Sequence, residues 1–147
     1  MPSAKERVAK CLTSLHSNSG VTGRSTMEIG PNQSQFLQAL ESGNYRKCRE
    51  TLRSNNGSYC AFGVACDVSG LHKWYKTPHG FWQDGSTVRP PEAVVRWLGL
   101  RDPRGTLSSP REGISSLLEI NDQTRTSLKG IAAFIRKYAD LVFVEPR

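Results

Sequence analysis

An apolar run between Tyr59 and Val68 constrains the fold more than any other feature of this chain, because it holds no charged residue before Asp67. The run is apolar on every side, so periodicity alone cannot distinguish a buried helix from a buried strand. We expect a buried helix over residues 61–68. Gly63 would cost about 1 kcal/mol relative to alanine in an exposed helix, which predicts a closely packed neighbour.

Several other segments combine helical spacing of apolar residues with start or stop signals. Asn32, Pro90-Pro91 and Ser127 are typical of helix N-termini, while Gly43 and Gly99 are typical of the residues that end a helix. The segments with these patterns are residues 31–42, 90–99, 114–121 and 127–139.

Strand signals are more local. Residues 45–53 look extended, Asn56-Gly57 is a tight-turn dipeptide, and the aromatic residues between Trp74 and Trp82 predict a small hairpin. We expect residues 101–110 to form a polar loop. The expected fold class is therefore mainly α within the α+β class, a compact helical domain with a small β-hairpin.

The distribution of apolar residues divides the chain into two regions. Residues 1–30 predict an N-terminal amphipathic helix followed by a flexible linker rich in serine, glycine and threonine. Residues 31–147 carry the main apolar pattern and predict a single compact domain.

The net charge of the chain indicates which classes of partner it favours. The net charge is +7 and the pI is about 9.5, which favours association with nucleic acid or with an acidic protein surface. No apolar stretch approaches the ~18 residues that a membrane span needs, and the first residues lack the apolar core of a secretory signal. We expect a cytoplasmic protein without a membrane association, in which the four cysteines are reduced thiols.

Three segments together resemble a family of small phage and actinobacterial proteins with no known activity. That family has a segment like FCCLGVLCDL, a helix ending in WLGL, and a late element that begins with LND and continues to an IA pair. The counterparts in this chain are Tyr59 to Val68, Pro90 to Leu100, and Leu118 to Ile135. The resemblance implies one compact domain of phage type, acting in the host cell cytoplasm, and implies no activity.

The densest group of basic residues is a candidate contact surface. It consists of Arg46, Lys47, Arg49 and Arg53, with Glu50 as the only acid among them. In an extended segment, Lys47, Arg49 and Arg53 would share a face and form a ridge that suits an acidic protein patch or a phosphate backbone. The alternative for this group is a solvated face.

The cysteines of the apolar run have a structural and a catalytic explanation. As buried small hydrophobes, Cys60 and Cys66 would belong to the core. Alternatively, a helix N-terminus could lower the pKa of Cys60 and make it a nucleophile, with Asp67 or Asp122 orienting a histidine base. The spacing of cysteines and histidines matches no common zinc site, and no phosphate-binding loop is present, so we expect neither a metal nor a cofactor.

The pair Asn121-Asp122 suits a tight connection between two helices, because both side chains can satisfy free backbone groups. The alternative is a ligand contact beside Cys60. The helices on either side also suggest a helix-turn-helix, although the connection is longer than that motif usually has.

The aromatic residues have two explanations as well. Trp74 and Trp82 could stack on exposed nucleic-acid bases, or they could supply the core of a chain that is short of aliphatic residues.

Together these patterns favour a non-enzymatic accessory protein of phage type that binds a host or viral macromolecule. Such a protein could inhibit a host factor or defence system, or it could be a minor virion component. A basic nucleic-acid-binding module is the alternative, and a small cysteine-dependent enzyme is third. The candidate binding residues are Arg46, Lys47, Arg49, Arg53, Trp74, Trp82, Asn121 and Asp122.

Overall fold

The computed structural model describes residues 27–78, 80–82 and 86–147. The amphipathic helix predicted in the first sixteen residues and most of the linker after it lie outside the described residues, as does the side chain of Trp82. The helices are α1 (Pro31–Glu41), α2 (Ala61–Ser69), α3 (Glu92–Leu98), α4 (Leu117–Asn121), α5 (Leu128–Lys137) and α6 (Ala139–Val142). The strands are β1 (Arg46–Lys47), β2 (Ser58–Tyr59), β3 (Tyr75–Thr77), β4 (Gly80–Trp82), β5 (Thr106–Arg111) and β6 (Ile114–Ser116).

The apolar run forms the central helix, α2, as predicted. Cys60 caps its N-terminus, and Gly70 ends it in the left-handed conformation with φ 63°. A Cβ on Gly63 would lie 1.7 Å from the carbonyl oxygen of Leu52. The predicted close neighbour is therefore confirmed, and it is backbone that cannot easily move aside.

The core lies between α2 and the helices around it. Helix α1 contacts α2, α3 and α5, and the buried faces of these helices share one apolar cluster. The predicted helices in segments 31–42, 90–99 and 127–139 are confirmed, because each carries its own start or stop signal and one apolar stripe.

Gln33 is a buried polar residue that the sequence analysis missed. Its side chain accepts a hydrogen bond from the backbone N–H of Gly30 at 2.9 Å. It also donates to the carbonyl oxygens of Leu98 at 2.9 Å and Glu145 at 2.8 Å. Gln33 therefore ties the start of α1 to the end of α3 and to the C-terminal segment.

The expectation of a mainly helical fold is wrong. The chain is 40% helical and 19% strand, with six helices and three two-stranded sheets among the described residues, which makes it a mixed α+β fold. The chief error is in residues 101–110, because β5 pairs antiparallel with β6 where a polar loop and a helix were expected. Glu112 and Gly113 adopt positive φ at the tip of this hairpin. Leu107 is the only buried residue of β5, so this segment lacks the alternation of apolar and polar residues that predicts a strand.

The other two strand pairs adjoin one another. β1 and β2 pair in parallel, while β3 and β4 form the predicted aromatic hairpin. Arg53 makes single bridges to Tyr59 of β2 and to Phe81 of β4, so it joins the two pairs. The prediction of an extended segment over residues 45–53 is wrong beyond β1, because Glu50 turns the chain with φ 67°.

None of the helices in the described part of the chain is long and apolar enough to cross a membrane.

Candidate functional site

The N-terminus of α2 brings the two most distinctive segments of the sequence together. The Cys60 thiol accepts a hydrogen bond from the Gly63 N–H at 3.3 Å. The side-chain oxygen of Asn121, which is 1% exposed, accepts another from the Ala61 N–H at 3.0 Å. These are two of the backbone donors that a helix start leaves without a partner inside the helix. Asn121 therefore lies beside the Cys60 cap, and it acts there as a structural hydrogen-bond acceptor.

The thiols of α2 are poorly suited to nucleophilic chemistry. Burial raises the pKa of Cys60 to about 12, and it also raises the pKa of Cys66. The expectation that Cys60 and Cys66 belong to the core is confirmed. The alternative, in which the helix N-terminus lowers the pKa of Cys60, is wrong, because desolvation of the thiolate outweighs the hydrogen bond from Gly63. At neutral pH both side chains are protonated thiols within the core.

Asp67 holds together the aromatic residues near the end of α2. Its two carboxylate oxygens accept hydrogen bonds from the Tyr45 hydroxyl at 2.6 Å and from the Trp74 indole N–H at 3.2 Å. Burial, and then this hydrogen bond to Asp67, raise the pKa of Tyr45. Both oxygens of Asp67 are thus engaged in hydrogen bonds to aromatic side chains.

The predicted ridge of Lys47, Arg49 and Arg53 forms only in part, because Lys47 and Arg49 reach the same loop and Arg53 does not. Arg46 donates to the carbonyl oxygen of Asn56 at 2.5 Å, in the turn before β2. Lys47 and Arg49 reach across to the loop between α4 and α5, and Arg53 lies among aromatic rings. Neighbouring residues of a strand face opposite sides, which explains why Arg46 and Lys47 diverge.

Lys47 and Arg49 join a second segment that is distant in sequence. The Lys47 ammonium donates to the carbonyl oxygen of Gln123 at 2.6 Å and also to that of Thr126. Arg49 donates to the Thr124 hydroxyl at 3.2 Å. These contacts hold the loop after α4 against the segment that follows β1.

We call the resulting surface the basic loop face, defined as Lys47, Arg49 and Arg125. Arg49 and Arg125 are exposed, and Lys47 is half-buried beneath the loop. Burial, and then the neighbouring charge of Arg49, lower the pKa of Lys47, while Asp122 acts in the opposite direction. Asp122 is exposed at the edge of this face, so Asn121 and Asp122 have different environments despite being adjacent.

The aromatic cluster is largely internal. Trp74 lies edge-to-face with Tyr59 and Phe81, at centroid distances of 6.1 and 6.3 Å, and Arg53 lies near all three rings. One face of Trp74 is therefore already occupied, which favours packing over base stacking for this residue. The prediction for Trp82 concerns a side chain outside the described residues.

The helix-turn-helix hypothesis is wrong, because the first helix is too short for such a motif. Helix α4 has only five residues, and the residues before it form β6. An open depression of about 410 Å³ lies between Arg104, Glu119 and Asp122. In the described part of the chain, no three histidine, cysteine or acidic side chains are grouped so that they could hold a metal ion.

Comparison with known proteins identifies a family. Residues 32–139 match the model of a family described as a domain of unknown function, DUF8296. No curated protein and no solved structure matches the chain. The matched region runs from the first turn of α1 to the start of α6, so it contains both the α2 cap and the basic loop face.

Proposed function

The chain belongs to the DUF8296 family, and from this premise we propose that it is a non-enzymatic accessory protein, phage-encoded, that binds a host or viral macromolecule through the basic loop face. The observation that carries the proposal is the contact between Lys47 and the carbonyl oxygens of Gln123 and Thr126. It fixes two cationic segments, about 75 residues apart in sequence, into one surface.

The state of the candidate catalytic groups supports a binding function over an enzymatic one. Cys60 is 3% exposed, and burial raises its pKa to about 12, whereas a nucleophile must be accessible and readily deprotonated. Asp67 already accepts two hydrogen bonds from aromatic side chains. Asp122 is exposed beside Lys47, where its charge can contribute to recognition.

An acidic protein surface is the partner that this face fits best. Lys47 is held in place before binding, so the face loses little side-chain freedom when a partner docks. Its charges would steer an acidic partner towards it and reject a basic one. A nucleic acid is the alternative partner, since the same cations could contact phosphates.

Affinity capture from the producing cell tests the proposal. The native chain is compared with the double variant Arg49→Glu/Arg125→Glu, and each capture is done with and without nuclease. The matched control is Arg96→Glu/Arg111→Glu, which makes the same charge change at two other exposed positions.

We expect a protein that the native chain and the control retain after nuclease treatment and that the face variant loses. Equal capture by both variants would contradict a role for this face. Loss of every partner after nuclease treatment would support the nucleic-acid-binding alternative.

A further inference from the structure

Arg53 has an unusual environment for an arginine. Its guanidinium carbon lies 4.0 Å from the ring centroid of Phe81, 5.3 Å from that of Tyr59 and 5.6 Å from that of Trp74. It forms no salt bridge within 4.0 Å among the described residues. Arg53 Nε is enclosed without a hydrogen-bond partner, and it is the only such side-chain atom in the described part.

The terminal nitrogens of Arg53 make no hydrogen bond to the described residues, and they are not fully enclosed as Nε is. The guanidinium therefore keeps two unused donor groups while it is held among aromatic rings. A guanidinium with a purely structural role more commonly donates these hydrogen bonds to backbone carbonyls or to a carboxylate.

The rings and the backbone fix the guanidinium in position. Cation–π contacts of this kind contribute about 0.5–2 kcal/mol. The backbone of Arg53 is held as well, because its carbonyl oxygen accepts the Phe81 N–H at 2.9 Å. Asp67, which contacts Trp74 of this cluster, has both oxygens engaged by Tyr45 and Trp74. Among the described residues, the site thus has a fixed cation whose guanidinium donors are unused, and no anion paired with it.

The surrounding charge favours a doubly charged oxyanion. Lys76 of β3 pairs directly with Phe81 of β4, and directly opposed residues of an antiparallel pair share a face. Lys76 is exposed, as is Lys73 beside Trp74. A phosphate group has more charge than a carboxylate to meet these cations, and its oxygens match the guanidinium fork.

We propose that Arg53 is the recognition residue of a phosphate-binding site, in which the terminal guanidinium nitrogens donate to two oxygens of a phosphate group while Phe81, Tyr59 and Trp74 hold the guanidinium in place. The site does not depend on the proposed function, because it would bind a phosphate group whether or not the basic loop face binds a macromolecule.

Titration of the full-length, ¹⁵N-labelled chain with inorganic phosphate tests this site by NMR. The Nε–Hε signal of Arg53 should shift and saturate, and acetate at equal ionic strength should bind at least about tenfold more weakly. The Nε–Hε signal of Arg96, an exposed arginine of α3 outside both proposed sites, should show no saturable shift. An Arg53 signal that does not saturate, or that responds equally to acetate, would overturn the assignment.

Two substitutions separate the guanidinium fork from its charge. Arg53→Lys keeps a cation but lacks the planar pair of donors, and it should weaken phosphate binding by at least about tenfold, or about 1.4 kcal/mol. Arg96→Lys is the matched control and should leave phosphate binding unchanged. Unchanged phosphate binding by folded Arg53→Lys would contradict the proposal; if that variant does not fold, the titration of the native chain decides alone.

Discussion

Replacing Asn121 with alanine should lower the free energy of unfolding by more than a substitution in a surface turn usually does. The substitution removes the oxygen that accepts the Ala61 N–H at 3.0 Å, and Asn121 is buried, so water cannot readily replace that oxygen. A buried donor left without a partner costs about 1–3 kcal/mol. For a chain of this size, that corresponds to a Tm lower by about 3–10 °C.

The matched control is Asp122→Ala, at the exposed neighbouring position. Its backbone N–H bonds to Leu118 and is untouched by the change, so its stability should shift by less than about 0.5 kcal/mol. Urea denaturation of the two variants measures the difference, and hydrogen exchange at Ala61 should accelerate in Asn121→Ala alone. Equal stability of the two variants would refute the assignment of Asn121 as the second cap of α2.

Three further predictions concern the same core. Gly63→Ala should destabilise the fold by about 3 kcal/mol or more in urea denaturation, because the added methyl would overlap the Leu52 carbonyl. The control is Gly130→Ala, at the equivalent position of α5, where the nearest atoms lie 3.4 Å from the added methyl; this change should be neutral or stabilising. A similar loss of stability in the two variants would contradict the packing argument. Since burial raises the pKa of Cys60 from 9.0 to about 12, the contribution of this thiol to the free energy of unfolding should be constant below pH 9 and fall above it by up to about 1.4 kcal/mol per pH unit. The buried Cys66 adds to the total fall, and Cys60→Ala should make that fall shallower. A chain without residues 1–26 should unfold cooperatively with a native-like Tm. A chain without residues 1–30 should have a lower Tm, because it lacks the hydrogen bond from Gly30 to Gln33. Equal Tm values for the two truncated chains would show that this hydrogen bond contributes little to stability.

The helices were predictable because their signals are local. Helices α1, α3 and α5 each carry an apolar stripe and a residue that starts or stops them, and these features act within a few residues. The apolar run before Asp67 contains too little periodicity to identify a helix, but Gly63 indicated its close packing. Hairpin β5–β6 was missed because one buried leucine is too weak a signal for a strand.

The sites were less predictable because long-range contacts build them. Nothing near Asn121 in the sequence indicates that its side chain caps a helix that begins sixty residues earlier. The basic residues were found by composition, but their directions depend on the turn at Glu50 and on a loop that only the fold brings close. Gln33 gave no signal beyond its position in a helix, although it joins three segments of the chain.

The affinity of the captured partner for two charge-reversal variants tests the basic loop face most directly. Arg49→Glu/Arg125→Glu should bind the purified partner at least about tenfold more weakly than the native chain, or about 1.4 kcal/mol. Arg96→Glu/Arg111→Glu has the same net charge and should bind as the native chain does. If the folded face variant binds with native affinity, or if both variants lose affinity equally, the partner does not recognise the surface that Lys47 assembles.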